Sequence, residues 1–134
     1  MTRINLLPPQ ELYDQHLMAE YRELPMVLAS LRRSLRSPNF NVGKIPKQYT
    51  LNSGHVMFFY SRLEWLKCRY DLLCEELYKR NYNISPDDRN VVWDGFPKWC
   101  YGTWKETERD IDINRKRIVE RISAKPDWYR KTEY

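Results

Sequence analysis

The stretch TRINLLPPQELYDQHLMAEYRELP, residues 2–25, decides how the rest of the chain is read. Pro8-Pro9 forbids a helix running through it and stiffens the backbone, so residues 2–10 read as an extended arm. A helix then begins near Glu11 or Asp14 and runs to about Arg36. Leu17, Tyr21, Leu24, Leu28, Leu31 and Leu35 recur at spacings of three and four and make one apolar stripe. Arg22, Met26, Ala29, Arg33 and Arg36 fall on another face. Pro25 lies inside this helix, where it removes one hydrogen bond and leaves the Tyr21 carbonyl without its usual partner. A kink beside Glu23 follows. It is either a bend tolerated on the convex side or a device that aims Glu23.

Working outward, Ser37 to Thr50 is a loop by its Pro, Asn and Gly content. A second helical pattern runs from about His55 to Arg80, with Phe59, Leu63, Leu66, Leu73 and Leu77 spaced for burial and Phe58, Trp65 and Tyr70 widening the stripe. Asn81 to Val92 is polar and turn-rich. Trp93 to Trp104 contains Gly95, Pro97 and Gly102 and reads as irregular but packed on its aromatics. A third helix spans about Glu106 to Ala124. Its inner face carries Ile111, Ile118 and Ile122, and its outer face is basic with Arg115, Lys116, Arg117 and Arg121. Pro126 ends it. No strand pattern stands out. The expected fold is all-α, with three main helices, long irregular loops and an extended N-terminal arm in one domain over residues 1–134.

Composition narrows the function classes. A chain of 134 residues has room for one core. Formal net charge is +5 and the pI about 9.1, a balance that fits a polyanionic partner. Three cysteines, Cys68, Cys74 and Cys100, form no C-x-x-C pair, so neither a disulfide framework nor a zinc site is indicated. They read as reduced core thiols. The two histidines, His16 and His55, stand far apart in sequence, which argues against a metal site. No apolar run approaches the ~20 residues of a membrane span, and no long apolar segment follows Arg3 as in a secretory signal.

The start of the chain also carries chemistry. Initiator methionine is generally removed before a small residue, which would leave Thr2 with a free α-amine. Such an amine titrates near pH ~7.7–8.0, so a sizeable fraction is neutral and nucleophilic. Arg3 beside it pushes the balance further toward the neutral form. Glu23 supplies a carboxylate on the neighbouring helix. An amine and a carboxylate brought together can form an imine at a carbonyl-level carbon and then move its protons. Taken singly, a terminal threonine and a helical glutamate are ordinary surface features.

MTRINL at residues 1–6 and HLMAEYRELP at residues 16–25 are joined by GHV at 54–56, FFY at 58–60 and the run from Arg117-Ile118 to Trp128-Tyr129. Together they closely resemble the phage-type endonuclease V family of pyrimidine-dimer DNA glycosylases. The likeness touches the start, middle and end of the chain. It implies a DNA repair glycosylase with coupled abasic-site lyase activity, acting inside the cell on double-stranded DNA damaged by ultraviolet light, as a monomer and without metal or cofactor. It assigns the amine nucleophile to Thr2 and the carboxylate to Glu23. It also implies that the duplex is kinked and a base opposite the lesion expelled.

Arg3, Arg22, Arg117 and Arg121 look like phosphate clamps. Gln15 and His16 form a polar pair at the first helical turn that can donate to a phosphate; for His16 a structural hydrogen bond is the alternative. Trp128 and Tyr129 either stack on or near the lesion or form a lid on the core. The chain departs from the family at Met26, where an arginine is common, and in the tail Arg130-Lys131-Thr132-Glu133. Met26 keeps open another lesion such as a ring-opened purine, with Arg32, Arg33 or a loop residue standing in for the missing cation. From a different class, the chain reads as a non-catalytic helical DNA-binding module.

Overall fold

Proline and glycine chemistry divides the chain further than its hydrophobic pattern predicts. The computed structural model describes residues 3–134, the side chain of Asp88 excepted. The helices are α1 (Asp14–Glu23), α2 (Pro25–Arg36), α3 (His55–Phe58), α4 (Leu63–Lys79) and α5 (Glu108–Ala124), joined by loops and short 3-10 turns. Among the described residues there is no strand, as expected, but four helices are ten residues or longer, not three.

The first expected helix is broken at Leu24. Leu24 keeps right-handed helical angles, φ −55 and ψ −43, and its amide donates to the Glu20 carbonyl. Pro25 then opens α2 as its first residue, where a missing N–H costs nothing. The proline therefore marks a joint between two helices instead of a kink within one. Glu23 is the last residue of α1, at that joint.

The second expected helix is broken at Arg62, which sits at φ −135 and ψ 40, after the one-turn α3 and a 3-10 turn over Phe59–Ser61. The cause is a distant segment that docks here. The Glu64 amide at the start of α4 donates to the Gly102 carbonyl. A Cβ on Gly102 would come within 2.3 Å of the Ser61 carbonyl oxygen. Backbone meets backbone at this point, and neither side can rotate away. Gly102→Ala is expected to destabilise the fold by about 1–3 kcal/mol, read as a lowered denaturant midpoint with an unchanged slope.

The core draws on every helix and on the arm. Leu17, Tyr21, Leu24, Leu28 and Leu31 from the predicted stripe are all buried, as are Leu63, Leu66, Leu73 and Leu77. Phe58, Phe59, Trp65 and Trp104 pack ring against ring beneath Tyr49, so the irregular segment does pack on its aromatics. From α5, Ile118 is buried while Ile111 and Ile122 are half-buried against the same cluster. Cys74 and Cys100 are buried free thiols; Cys68 is free but exposed, contrary to the expectation that all three are core thiols. Helix α5 starts slightly later than predicted because Thr107 and Asp110 form a reciprocal capping box.

The arm is a structural member of the core. Ile4, Leu6 and Leu7 are buried. Burial contributes about 1.5–3 kcal/mol for each such side chain, against roughly 1–2 kcal/mol per residue for fixing the backbone. The margin is small, so the arm also needs its polar groups satisfied, and side chains supply what a sheet would have supplied.

Candidate active site

Among the described residues five side chains hold the backbone of the arm; at its far end Arg80 Nη2 donates to the carbonyls of Pro9 and Gln10, at 3.1 and 3.4 Å. The Ile4 amide donates to His55 Nε2 at 2.7 Å, and the Tyr49 hydroxyl donates to the Ile4 carbonyl at 2.8 Å. The amides of Leu6 and Leu7 both donate to Asn114 Oδ1, at 2.6 and 3.2 Å. Arg69 Nη1 donates to the Leu7 carbonyl at 2.7 Å. The side chain of Asn5 lies between partners from two helices, α1 and α5. Its amide nitrogen donates to Glu20 Oε1 at 3.0 Å, and its oxygen accepts from Asn114 Nδ2 at 2.9 Å. Arg69 closes the set with two bonds to the Glu20 carboxylate, at 2.7 and 2.9 Å. Buried charges persist when paired and hydrogen-bonded in this way.

Thr2 itself lies outside the described residues. Arg3 is described, and it lines a pocket of about 190 Å³ together with Asn5, His16, Glu20, Glu23, Arg117, Arg121 and Tyr129. Ala19, Leu51 and Ile118 supply apolar wall. Of the expected site residues, Arg3, His16, Glu23, Arg117, Arg121 and Tyr129 are thus brought together. They come from the arm, from α1, from α5 and from the tail.

The electrostatics of the pocket are those of crowded cations around one half-buried carboxylate. Burial, then the charges of Arg117 and Arg121, hold Arg3 below the ordinary guanidinium range, and Glu23 acts in the opposite direction. Arg3 remains charged, because guanidinium does not deprotonate in proteins. Nε and Nη1 of Arg3 and Nε of Arg117 are buried and meet no acceptor among the described residues. A buried donor without a partner is unfavourable by about 1–3 kcal/mol. An anion entering the pocket would relieve that. Burial and Arg121 also push the His16 imidazole down, so it is neutral near pH 7.

The rim is built by the C-terminal tail. Gln15 donates to the Trp128 carbonyl at 2.6 Å and accepts from the Arg130 amide at 3.1 Å. Both ends of its amide are therefore engaged with the tail, and its place in the site is that of a tail clamp. Thr132 donates twice to the Asp14 carboxylate, which also receives Arg80 Nη1. Tyr129 stacks on His16 with centroids 4.6 Å apart and ring planes at 17°. Trp128 stands edge-on to Tyr129, 56% exposed, with Lys125 over its face. Tyr129 closes against His16, while Trp128 stays exposed over more than half its surface with Lys125 across one face.

Arg22 is exposed at the end of α1, beside the pocket and not among its lining residues. Arg89, which no motif singles out, joins it there. Arg89 Nη2 donates to the Arg22 carbonyl at 2.7 Å, and its guanidinium lies over the Tyr21 ring. Met26 is 56% exposed near the start of α2. Arg32 does not replace an arginine there, since it donates to the Val92 carbonyl and lies over Phe96. On α5, Arg115 pairs with Glu11 and faces away from the pocket.

Arg69 and Asn114 carried no sequence signal, while Asn5, Glu20 and His55 stand inside the MTRINL, HLMAEYRELP and GHV motifs, which do not reveal what each residue holds. Their partners lie 15 to 109 residues away in the chain. Among the described residues no group of His, Cys, Asp and Glu is arranged to hold a metal ion, and no helix is long and apolar enough to cross a membrane.

A family model described as pyrimidine dimer DNA glycosylase matches residues 1–90. The match takes in the arm, α1 to α4, Glu23 and the buried Glu20–Arg69 pair. It stops short of α5 and the tail, so the placement of Arg117, Arg121 and Tyr129 rests on the geometry of the pocket, which Trp128 does not line.

Proposed function

The chain belongs to the pyrimidine dimer DNA glycosylase family, and on that premise we propose that it excises the dimer through an imine on its own Thr2 amine and then nicks the strand. The observation that carries this reading is the convergence of Arg3, Arg117 and Arg121 around Glu23, at the end of an arm whose next residues are locked in the core.

Removal of Met1 frees the Thr2 amine. The neutral amine attacks C1′ of the deoxyribose, and the base departs with the electron pair of the glycosidic bond. Loss of the ring oxygen's bond to C1′ leaves a protonated imine between enzyme and sugar. Glu23 stabilises the cationic sugar and imine, and accepts the C2′ proton that the imine has acidified. The C3′–O bond then breaks by β-elimination and releases the 3′ phosphate. Water hydrolyses the imine and frees the enzyme. A carboxylate in a partly desolvated pocket is effective here, because charge interactions strengthen where water is excluded.

Arg3, Arg117 and Arg121 hold the phosphates that flank the lesion, with Arg22 and Arg89 at the outer edge. Trp128 stacks against bases near the lesion. Expulsion of the base opposite the dimer costs a few kcal/mol of unstacking, and a dimer that already stacks poorly lowers that cost. The protein acts as one domain and one chain.

Borohydride trapping on a duplex with an abasic site tests the mechanism. Protein whose mass confirms loss of Met1 is expected to give a covalent adduct. Protein that retains Met1, with the Thr2 nitrogen held in an amide bond, is expected to give none while binding the same duplex. Absence of an adduct from the Met-free protein refutes the imine mechanism and leaves the non-catalytic binding module.

A further inference from the structure

His55 is 2% exposed and sits at the start of α3, outside the pocket that holds Glu23. Its ring is bonded at both nitrogens. Nδ1 lies 2.8 Å from the Thr50 carbonyl, and Nε2 lies 2.7 Å from the Ile4 amide nitrogen. A carbonyl can only accept and an amide can only donate. Nδ1 therefore carries the proton and Nε2 is the acceptor. The edges of Tyr49 and Phe59 box the ring in. Nothing in the chemistry proposed above uses this histidine.

Its position in the chain gives it a use. Among the described residues Ile4 is the first whose amide is tied to the core, and two residues separate its nitrogen from a chain end at Thr2. Two residues of extended chain span at most about 7 Å. The Ile4 amide is thus the pivot of a very short tether, and an error of 1 Å at the pivot passes almost undiminished to the nucleophile.

We infer that His55 is a positioning residue for the reaction: its neutral ring, fixed by Thr50 as an Nε2 acceptor, anchors the Ile4 amide and so sets where the Thr2 amine stands relative to Glu23. The inference rests on the amine–imine reading above. It adds a requirement that the ring stay neutral, since protonated Nε2 cannot accept from an amide. The groups that face the ring are the Arg3 guanidinium, the Tyr49 phenol and the Thr50 carbonyl, with Phe59 apolar beside them. Burial holds the imidazole down to about 4; the bond to the Thr50 carbonyl opposes it, and Arg3, the smallest of the three effects, acts with burial. The unfolded ring titrates near 6.5. The anchor's contribution to stability is therefore complete above about 6.5 and is lost as pH falls toward about 4.

Three proteins with Met1 removed separate the possibilities: wild type, His55→Asn and His55→Gln. Asn keeps a donor at the Nδ1 position for Thr50 and loses the Ile4 acceptor. Gln carries an acceptor at the same bond count as Nε2. Single-turnover trapping on an abasic duplex is expected to slow 10- to 100-fold in His55→Asn, with DNA affinity within about 3-fold of wild type. His55→Gln is expected to recover most of the rate.

A His55→Asn protein that traps at the wild-type rate overturns the inference and leaves the imine mechanism standing. So does a folded His55→Gln no faster than His55→Asn, because the ring then acts by packing alone. A wild-type protein that traps nothing removes the mechanism and this inference with it. Should either variant melt, hydrogen exchange at the Ile4 amide of the wild type decides. After correction for intrinsic rates its protection is expected to vanish as pH falls through about 4 while the amides of α4 stay protected; protection that persists there overturns the inference.

Discussion

Glu23→Gln is expected to slow strand cleavage by about 10²–10³-fold and to leave binding of an abasic duplex equal or tighter. The two halves of this result have separate physical causes. In the pocket Glu23 is the carboxylate that offsets the charges crowding Arg3. In the proposed mechanism, removing its charge would deprive the cationic sugar and the imine of their counter-charge and remove the acceptor for the C2′ proton. Glutamine fills the same volume, so the walls formed by Ala19, Leu51 and Ile118 need not move.

Binding should respond in the opposite sense. DNA affinity comes chiefly from phosphates neutralised by Lys and Arg, and in the proposed reading those cations are Arg3, Arg117 and Arg121 at the pocket and Arg22 and Arg89 outside it. Deleting a negative charge among them raises the local positive potential. The salt dependence of binding should stay near its wild-type slope, because the number of cations meeting phosphate does not change. Gel-shift titration at several salt concentrations, beside a single-turnover cleavage assay on the same preparation, reads both quantities. A parallel loss of cleavage and affinity would assign Glu23 to the architecture of the pocket instead of its chemistry.

What the sequence made legible divides along the range of the interactions. The stripe from Leu17 to Leu35 could be read because spacing along a helix is local, and all of it is buried but its last member, the half-buried Leu35. The arm could be read from Pro8-Pro9, and the aromatic packing around Trp104 from composition. The breaks at Leu24 and Arg62 were harder. Pro25 is visible in the sequence, but a proline inside a helix and a proline that opens the next one leave the same local trace. The break at Arg62 depends on Gly102 docking from 40 residues away.

The site divides in the same manner. His16, Arg22 and Glu23 stand in one motif and were recognised together, although Arg22 lies outside the pocket lining. Glu20 sits three residues from Glu23 on the same helix and reads in sequence as just another glutamate. The two differ because Arg69, 49 residues on, reaches one and not the other. Gln15 looked like a phosphate donor because the tail that occupies it arrives from 113 residues away. His55 looked like an isolated histidine for the same reason. No periodicity or spacing rule reports such partners. They exist only once the arm, α1, α4 and α5 are assembled.

That assembly is most exposed at the buried Glu20–Arg69 pair. Arg69→Met is expected to cost about 3–5 kcal/mol, the usual penalty for leaving one member of a buried ion pair behind. For a chain of this length it corresponds to a fall in Tm on the order of 10–20 °C. Methionine replaces most of the arginine stem, so little packing is lost. The loss comes from a carboxylate with almost no exposure that keeps, among the described residues, Asn5 as its partner, and from a Leu7 carbonyl that loses its Arg69 donor.

A second substitution separates these causes. Glu20→Gln on the Arg69→Met background removes the stranded charge and still offers Asn5 an oxygen. It should therefore recover a large part of the stability, because neutralising both members of a buried pair is far less costly than removing one. Exposed Arg115, paired with Glu11 at 3.3 Å, provides the contrast; its loss should change stability by about 0.5 kcal/mol or less. Denaturant melts of the single and double variants at low temperature measure all three. If the double variant is no more stable than Arg69→Met alone, the buried charge is not what that residue controls, and the weight shifts to its bond with the Leu7 carbonyl and the seating of the arm.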